Sequence, residues 1–206
     1  MQTRRDLAKA ETRAALADAA IEIARVDGVD SLTADAIAQR AGVSRRTFFN
    51  YFPTTDAVLA VPSGDFMCVA LEEFERRPAG EPLTDSIIAA LTAADPGTLA
   101  RFASVVMLCE GQISAERVER AAWDEAEGDI ARALAARLPE GTPALHLAVL
   151  SSCVVAAGRS AVLAWVAGSS DLAGPDAARS LRGYLIDAFG YLTESFAGAT
   201  VRPHDR

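Results

Sequence analysis

The twelve residues AGVSRRTFFNYF, Ala41–Phe52, decide the fold of this chain. Gly42 follows a short apolar segment, and glycine adopts the positive φ of a sharp turn without the penalty that a Cβ brings. Ser44, two residues later, is a favoured N-cap residue and predicts that a new helix begins at Arg45. The stretch therefore predicts the turn and the second helix of a helix-turn-helix.

The residues before this stretch fit the same motif in register. With Ala34 as the first position, the small Ala38 is fifth, Gly42 is ninth and Phe48 is fifteenth. Two helices that cross at a steep angle need a small side chain, a turn and an apolar plug at these places. A plain helical corner uses similar residues, and that alternative stays open at this point.

The second helix is expected to turn polar side chains away from the protein core. Arginine pairs bidentately with guanine in the major groove of DNA, and asparagine pairs with adenine. We therefore predict base contacts from Arg45, Arg46 and Asn50. Threonine hydroxyls reach phosphate, so Thr47 and Thr33, which is also the expected N-cap of the preceding helix, are predicted phosphate contacts.

The charge distribution limits where DNA can bind. The chain has 206 residues, half of them apolar, which allows one domain of ordinary size plus a smaller one. Its 20 basic and 28 acidic residues give a net charge of −8, but residues 1–60 contain equal numbers of both, so the acidic excess lies beyond them. Phosphate should repel that acidic part. The N-terminal part is therefore the expected contact surface.

The sequence predicts a cytoplasmic protein, because we find neither a signal-peptide pattern nor an uninterrupted apolar span. Residues 1–6 are charged and no apolar segment follows them, so we expect no signal peptide. The most apolar stretch, Ala144–Gly168, is interrupted by His146 and Arg159, so we expect no membrane partner.

The sequence offers little for catalysis or metal binding. Cys68, Cys109 and Cys153 lack the spacing of a zinc site or a disulfide scaffold, so we interpret them as buried small side chains. The two histidines, His146 and His204, are best interpreted as ordinary exposed residues. There is no metalloprotease motif and no phosphate-binding glycine loop. We predict that the chain is not an enzyme and carries no cofactor and no metal.

Apolar residues recur at helical spacing along the chain, and no segment alternates like a β-strand. The sequence predicts an all-α protein with a three-helix, helix-turn-helix DNA-binding domain at residues 1–53 and a larger helical domain at residues 54–206. We call this DNA-binding domain the head. Its three helices are expected over about 5–26, over 34–40 and from residue 45 onwards. A fourth helix is expected from Thr54 or Thr55, with an interruption at 62–64. Further helices are expected over 65–77, 83–94, 98–109, 114–138, 144–168 and 175–196.

The last two helices carry more apolar surface than one small domain needs. The helix over 144–168 is apolar almost all round, and the helix over 175–196 has two adjoining apolar faces. We predict that this helix pair meets its copy as a four-helix bundle in a homodimer. The expected interface residues are Ala157, Ala161, Leu181, Leu185, Phe189 and Leu192. Alternatively, both faces belong to the core of one chain. A two-fold dimer would bind a palindromic operator.

The motif resembles the TetR family of bacterial transcriptional regulators. The likeness covers about Thr12–Leu59: an alanine-rich first helix, the segment GVDSLTADAIAQRAGVS, and the T, F, F, Y and F of the recognition helix. Beyond that range, three features agree with the family: the order of the helices, the total length of the chain, and Trp165, a tryptophan in the penultimate helix. The resemblance implies an all-α homodimer that acts as a repressor on double-stranded DNA, with a C-terminal pocket for a small-molecule effector that releases the DNA.

The resemblance extends the set of phosphate contacts and also shows two departures. The predicted phosphate contacts are Thr33, Ser44, Thr47, Tyr51 and Thr55. Phe49 stands where the family usually has a tyrosine, and Thr55 stands where it usually has a lysine. Losing one ionic phosphate contact per subunit should weaken binding and reduce its salt dependence by about one counterion each.

The effector pocket is predicted among large apolar side chains of the second domain. The candidate lining residues are Phe66, Phe102, Met107, Trp123 and Trp165. Aromatic residues at helical spacing also form plain core, so that alternative stays beside the pocket. A competing function follows from Phe49 and Thr55: a dimeric small-molecule-binding protein of the same fold with weak or lost DNA binding.

Overall fold

The structure, a computed structural model, describes residues 4–109, 126–169 and 176–198. In those ranges the chain forms α-helices and short 3-10 helices and no β-strand, which confirms the all-α class. The α-helices are α1 (Arg4–Asp27), α2 (Ala34–Arg40), α3 (Arg45–Tyr51), α4 (Val61–Arg76), α5 (Leu83–Leu91), α6 (Pro96–Cys109), α7 (126–137), α8 (Ala144–Gly168) and α9 (Ala177–Gly198). The 3-10 helices are Val29–Ser31 and Asp56–Ala60.

One hydrophobic core belongs to the N-terminal head. Helices α1, α2 and α3 surround the fully buried Leu16, Ile37 and Phe48. The same cluster extends along the chain to Val61 at the start of α4, and it includes Val105 from α6. The head is therefore closed partly by side chains from the larger part of the molecule. The domain boundary after residue 53 stays a prediction.

The second core lies among the helices from α4 onwards. Helices α8 and α9 pack along each other, and α4 packs against α5 and α6. The largest fully buried side chain of this core is Trp165 of α8. Phe66 of α4 and Phe102 of α6 stack with ring centroids 4.3 Å apart. Helices α4 and α6 therefore contribute side chains to both cores.

Helix α4 is not interrupted at Pro62–Gly64, so that expectation is wrong. The segment before it forms the 3-10 helix Asp56–Ala60, and α4 then runs unbroken from Val61 to Arg76. Pro62 lies in the first turn, where the missing N–H would have had no helical acceptor. The proline therefore starts this helix instead of breaking it.

Several other helix ends differ from expectation by two or three residues, and side-chain hydrogen bonds account for two of them. Helix α5 ends at Leu91, where the Thr92 hydroxyl donates to the Ile88 carbonyl at 2.8 Å. Helix α6 begins at Pro96, because the Asp95 carboxylate accepts a hydrogen bond from the Thr98 hydroxyl at 2.7 Å and caps the first turn. The Thr98 hydroxyl holds the pKa of Asp95 below its usual value. The expected start of α7 at 114 lies outside the described residues.

Candidate nucleic-acid interface

The predicted turn of the helix-turn-helix is confirmed by backbone geometry. Gly42 has φ of 70°, in the region that favours glycine. The Val43 N–H donates to the Ala38 carbonyl at 2.9 Å, which closes the end of α2. Ala38 and Phe48 are buried, 2% and 0% exposed, at the crossing of α2 and α3. The two short helices are therefore locked at one angle.

Hydroxyl side chains cap both helices of the motif, as predicted. Thr33 Oγ1 accepts from the Ala36 N–H at 3.2 Å. Ser44 Oγ accepts from the Thr47 N–H at 3.1 Å, and the Ser44 and Thr47 hydroxyl oxygens lie 2.9 Å apart. The Thr33 hydroxyl therefore keeps its own proton for a further acceptor, such as a phosphate oxygen, whereas one proton of the Ser44–Thr47 pair is used between those two hydroxyls.

The other predicted DNA-contact residues differ in how exposed their side chains are. Arg45, Arg46 and Asn50 are exposed on α3. Tyr51 is half-buried and its ring packs against the head core. Thr55 is half-buried before the 3-10 helix Asp56–Ala60, and its side chain makes no capping hydrogen bond. The three candidate base contacts are thus the most accessible of the set.

Arg45 has two partners, neither of which the sequence analysis predicts. Its Nη1 donates to Asp35 Oδ2 of α2 at 3.1 Å. On the same helix, the Arg45 guanidinium carbon lies 5.6 Å from the centre of the Phe49 ring. No local sequence signal pairs these two residues, because they lie on different helices and meet only where α2 and α3 cross.

Helices α4 and α6 tie the head to the rest of the chain. The Arg13 guanidinium of α1 lies 3.7 Å from the Asp65 carboxylate of α4. The Arg101 guanidinium of α6 lies 3.6 Å from the Asp18 carboxylate of α1. Val105 of α6, 3% exposed, completes the apolar contact between these elements. A displacement of α4 or α6 would therefore reach the DNA-binding head.

A small apolar cavity of about 40 Å³ lies between α4, α5, α7 and α8. Its lining residues include Met67, Phe74, Ile87, Leu134 and Val154, and the lining is entirely apolar. The cavity holds little more than one water molecule as it stands. An apolar ligand of ordinary size would have to spread the helices around it.

The four candidate pocket residues that the structure describes do not line this cavity. Phe66, Phe102 and Trp165 are buried core side chains, which is the alternative considered for them. Met107 is 54% exposed, because it lies on the outer side of α6. Trp123 lies outside the described residues.

Five of the six side chains predicted at the dimer interface are buried in the core of their own chain, which is the alternative considered for them, and the interface stays a prediction. Ala157 and Ala161 of α8 are 6% and 2% exposed, and Leu181, Leu185 and Phe189 of α9 are at most 5% exposed. They are buried because α8 and α9 pack on each other and on α5 and α6. Leu192 is half-buried against the same core.

The opposite faces of these two helices are exposed and partly apolar. Leu145 and Val149 of α8 are 75% and 54% exposed, and Ile186 and Tyr191 of α9 are 49% and 64% exposed. We call these four residues the outer face. Helix α8 is long and apolar enough to cross a membrane by length and composition, and 33% of its most apolar window is buried inside the chain.

The cysteines differ from expectation, and no metal site is found among the described residues. Cys68 is exposed on α4 and Cys153 is half-buried, so the interpretation as buried side chains is wrong for Cys68. Partial burial and the neighbouring Asp65 carboxylate raise the pKa of the Cys68 thiol, which opposes thiolate formation. The side chain of Cys109 lies outside the described residues. In the ranges given above, no three potential metal ligands lie together.

Comparisons with known proteins agree with this architecture. Residues 16–61 match the model of the bacterial regulatory proteins of the tetR family. Thermus thermophilus FadR, a TetR-family transcriptional repressor crystallised with lauroyl-CoA, superposes with a TM-score of 0.57 at 23% identity, covering 94% of this chain and 100% of FadR. Salmonella enterica GusR superposes with a TM-score of 0.51 at 16% identity, covering 87% of this chain and 96% of GusR. No curated protein matches the sequence.

These features define a helix-turn-helix protein whose head is joined to a larger helical part. The chain has the fold of a TetR-family transcriptional regulator, and it carries the N-terminal domain of that family at residues 16–61. The family is regulatory, which agrees with the absence of catalytic motifs from the sequence.

Proposed function

We propose that the chain is a cytoplasmic transcriptional repressor that binds a palindromic operator as a homodimer and is released by a small-molecule effector. The observation that carries this proposal is the face of α3, where Arg45, Arg46 and Asn50 are exposed on a helix whose start is capped and whose inner side is fixed by buried Phe48. A rigid short helix with these side chains suits the major groove.

The outer face supports a dimer through α8 and α9. It exposes large apolar side chains on two adjacent helices, and α8 is only one-third buried in its most apolar window, 33%. Several exposed large apolar side chains on adjacent helices favour an interaction site. A copy of the same helix pair would cover it with two-fold symmetry, which places two recognition helices on one palindrome.

The cavity between α4, α5, α7 and α8 supports an apolar effector. Its lining offers no polar group, so it favours a hydrocarbon chain or ring over a charged molecule. FadR, with the same fold, is bound to lauroyl-CoA, a molecule with an apolar acyl chain. We therefore propose an effector with an extended apolar part.

In this proposal, helix α4 transmits the effect of effector binding to the DNA-binding head. Met67 and Phe74 of α4 line the cavity, and Val61 at the start of the same helix is part of the head core. An effector that enlarges the cavity displaces α4, and α4 moves the head through Val61 and the contact of Asp65 with Arg13. The distance between the two recognition helices then no longer matches the operator.

Fluorescence anisotropy with labelled DNA tests the proposal. The full chain is titrated against DNA from the region upstream of its own gene, at low and moderate salt, with a scrambled duplex as the control. Salt-sensitive binding that favours the native DNA supports the repressor. Equal, weak binding to both duplexes at low salt would leave the competing function, a dimeric small-molecule-binding protein without operator affinity.

A further inference from the structure

Asp35 carries a negative charge on the same side of the head as the candidate base contacts. It is exposed in the first turn of α2, beside the Thr33 cap, and accepts a hydrogen bond from Arg45 Nη1 at 3.1 Å. The side chains of Asp35 and Arg45 are 67% and 63% exposed. An ion pair this exposed adds little to stability. A carboxylate in the first turn also interacts favourably with the helix dipole of α2, but that interaction does not require the contact with Arg45.

The Phe49 ring restricts the same guanidinium from the other direction. The Arg45 guanidinium carbon lies 5.6 Å from the ring centre, within the range of a cation–π contact. The guanidinium thus has a carboxylate on one side and an aromatic ring on another. A planar guanidinium held in one orientation loses less side-chain entropy when it forms a pair of parallel hydrogen bonds.

Arg46, the next residue, has neither kind of partner among the described residues. It is exposed on α3, and its long side chain is free to follow the nearest phosphate. The two adjacent residues are both arginines, but only the guanidinium of Arg45 is oriented by contacts with other side chains.

We propose that Asp35 is a specificity-determining residue: with Phe49 it holds Arg45 in the orientation that pairs with one guanine base, while Arg46 supplies sequence-independent charge. The proposal rests on the DNA-binding function proposed above. A carboxylate close to the phosphate backbone would be repelled. The Asp35–Arg45 pair is therefore placed over the base edges in the groove, where Arg45 keeps enough free N–H donors for guanine O6 and N7.

This assignment predicts a particular defect when Asp35 is removed. A bidentate arginine–guanine pair discriminates against a wrong base by about 5- to 150-fold. In Asp35→Ala the discrimination at this single base pair should fall by at least about threefold, because Arg45 is no longer oriented. Affinity for scrambled DNA should rise, because the DNA-facing side of the head loses one negative charge and the whole duplex is anionic.

The experiment first selects a binding site from a randomised double-stranded DNA library with the full wild-type chain. Each base pair of that site is then varied, and affinities are measured for wild type, Asp35→Ala, Arg45→Ala and the double variant. The matched control is Asp30→Ala, which removes an exposed carboxylate of the head that does not contact Arg45. Thermal unfolding of every variant tests that the head remains folded.

The expected result is one base pair at which wild type and Asp30→Ala prefer guanine, Asp35→Ala prefers it less, and Arg45→Ala has lost the preference. The double variant should then equal Arg45→Ala, because Asp35 acts through Arg45. A guanine preference in Asp35→Ala equal to that of wild type would overturn the assignment and leave the DNA-binding function intact. A wild-type chain that selects no site from the library would overturn both.

Discussion

Arg137 of α7 donates a hydrogen bond from Nη1 to the backbone carbonyl of Phe74 at 2.8 Å, and its guanidinium carbon lies 5.1 Å from the centre of the Phe74 ring. The same guanidinium donates to the carbonyls of Arg77 at 2.8 Å and Pro78 at 3.0 Å. The last carbonyls of a helix have no partner within the helix. One side chain of α7 therefore closes the C-terminal end of α4, next to the apolar cavity that Phe74 lines.

Replacing Arg137 with alanine should destabilise the fold by about 2 kcal/mol, because several carbonyls lose a charged donor. Lysine at this position should restore part of the loss, since one ammonium group cannot span all of the carbonyls. Urea unfolding followed by circular dichroism measures both changes. The control is Arg132→Ala, an exposed arginine of the same helix whose described ion pair is with Asp129. Equal effects of Arg137→Ala and Arg132→Ala would show that Arg137 does not stabilise α4.

The corner that follows α4 should give the fold an acid-sensitive contact. Arg77 and the Ser86 hydroxyl both donate to the Glu81 carboxylate, and these hydrogen bonds, first those from Arg77 and then the one from Ser86, lower the pKa of Glu81 from 4.5 to about 2. A carboxyl with a lowered pKa in the folded state stabilises the fold fully above its unfolded pKa. This contribution should be lost as the pH falls from about 4.5 towards about 2.

Unfolding curves of wild type and Glu81→Gln, taken from neutral pH to acid, measure this contribution. The variant should be less stable at neutral pH, and the difference should shrink below pH 4.5, the ordinary pKa of a glutamate side chain. Glu75→Gln, at an exposed position of α4, is the matched control. A difference between wild type and Glu81→Gln that is independent of pH would contradict the lowered pKa.

Short-range signals made the helix-turn-helix predictable. The turn depends on the positive φ of Gly42, and the start of α3 depends on the Ser44 cap. Each is decided by a residue and its neighbours within one turn of helix. The same reasoning fails for the Asp35–Arg45 pair, because two residues on different helices meet only through the crossing angle that Phe48 and Ala38 set.

The choice between two apolar faces was not predictable from one chain. Helix α8 is apolar almost all round, so periodicity does not say which side meets its own core. Packing decides this, since Ala161 and Leu185 are buried inside the chain while Val149 and Ile186 are exposed. The prediction of an interrupted helix at Pro62 was wrong for a simpler reason. The sequence alone does not say whether a proline lies in the first turn of a helix, where it is tolerated, or inside the helix, where it breaks it.

A charge on the outer face should separate the proposed dimer. Ile186 is 49% exposed on α9, and a glutamate there would have to be buried at the two-fold interface beside its copy. Sedimentation velocity should show dimers for wild type and monomers for Ile186→Glu. Ala79→Glu, in the exposed loop after α4, adds the same charge away from this face and should stay dimeric. Dimers in both variants would place the interface elsewhere.

The head should lose stability when its apolar contact with α6 is reduced. Val105 is 3% exposed in the head core, so Val105→Ala removes buried methyl groups and should cost about 2 kcal/mol. Met107→Ala, on the exposed side of the same helix, should cost little. Urea unfolding compares the two variants. Similar costs would show that α6 does not support the head through Val105.

Arg46→Ala should weaken binding to every DNA sequence by a similar factor, because its guanidinium is assigned to phosphate and not to a base. One fewer phosphate contact per subunit lowers the slope of log affinity against log salt by about 0.9 for each subunit. Anisotropy titrations at several salt concentrations, on the selected site and on a scrambled duplex, measure the slope and the preference together. The preference for the selected site should stay unchanged, in contrast to Arg45→Ala. If Arg46→Ala instead abolishes the preference and leaves the slope intact, the roles of the two arginines are reversed and Asp35 does not determine which one contacts the base.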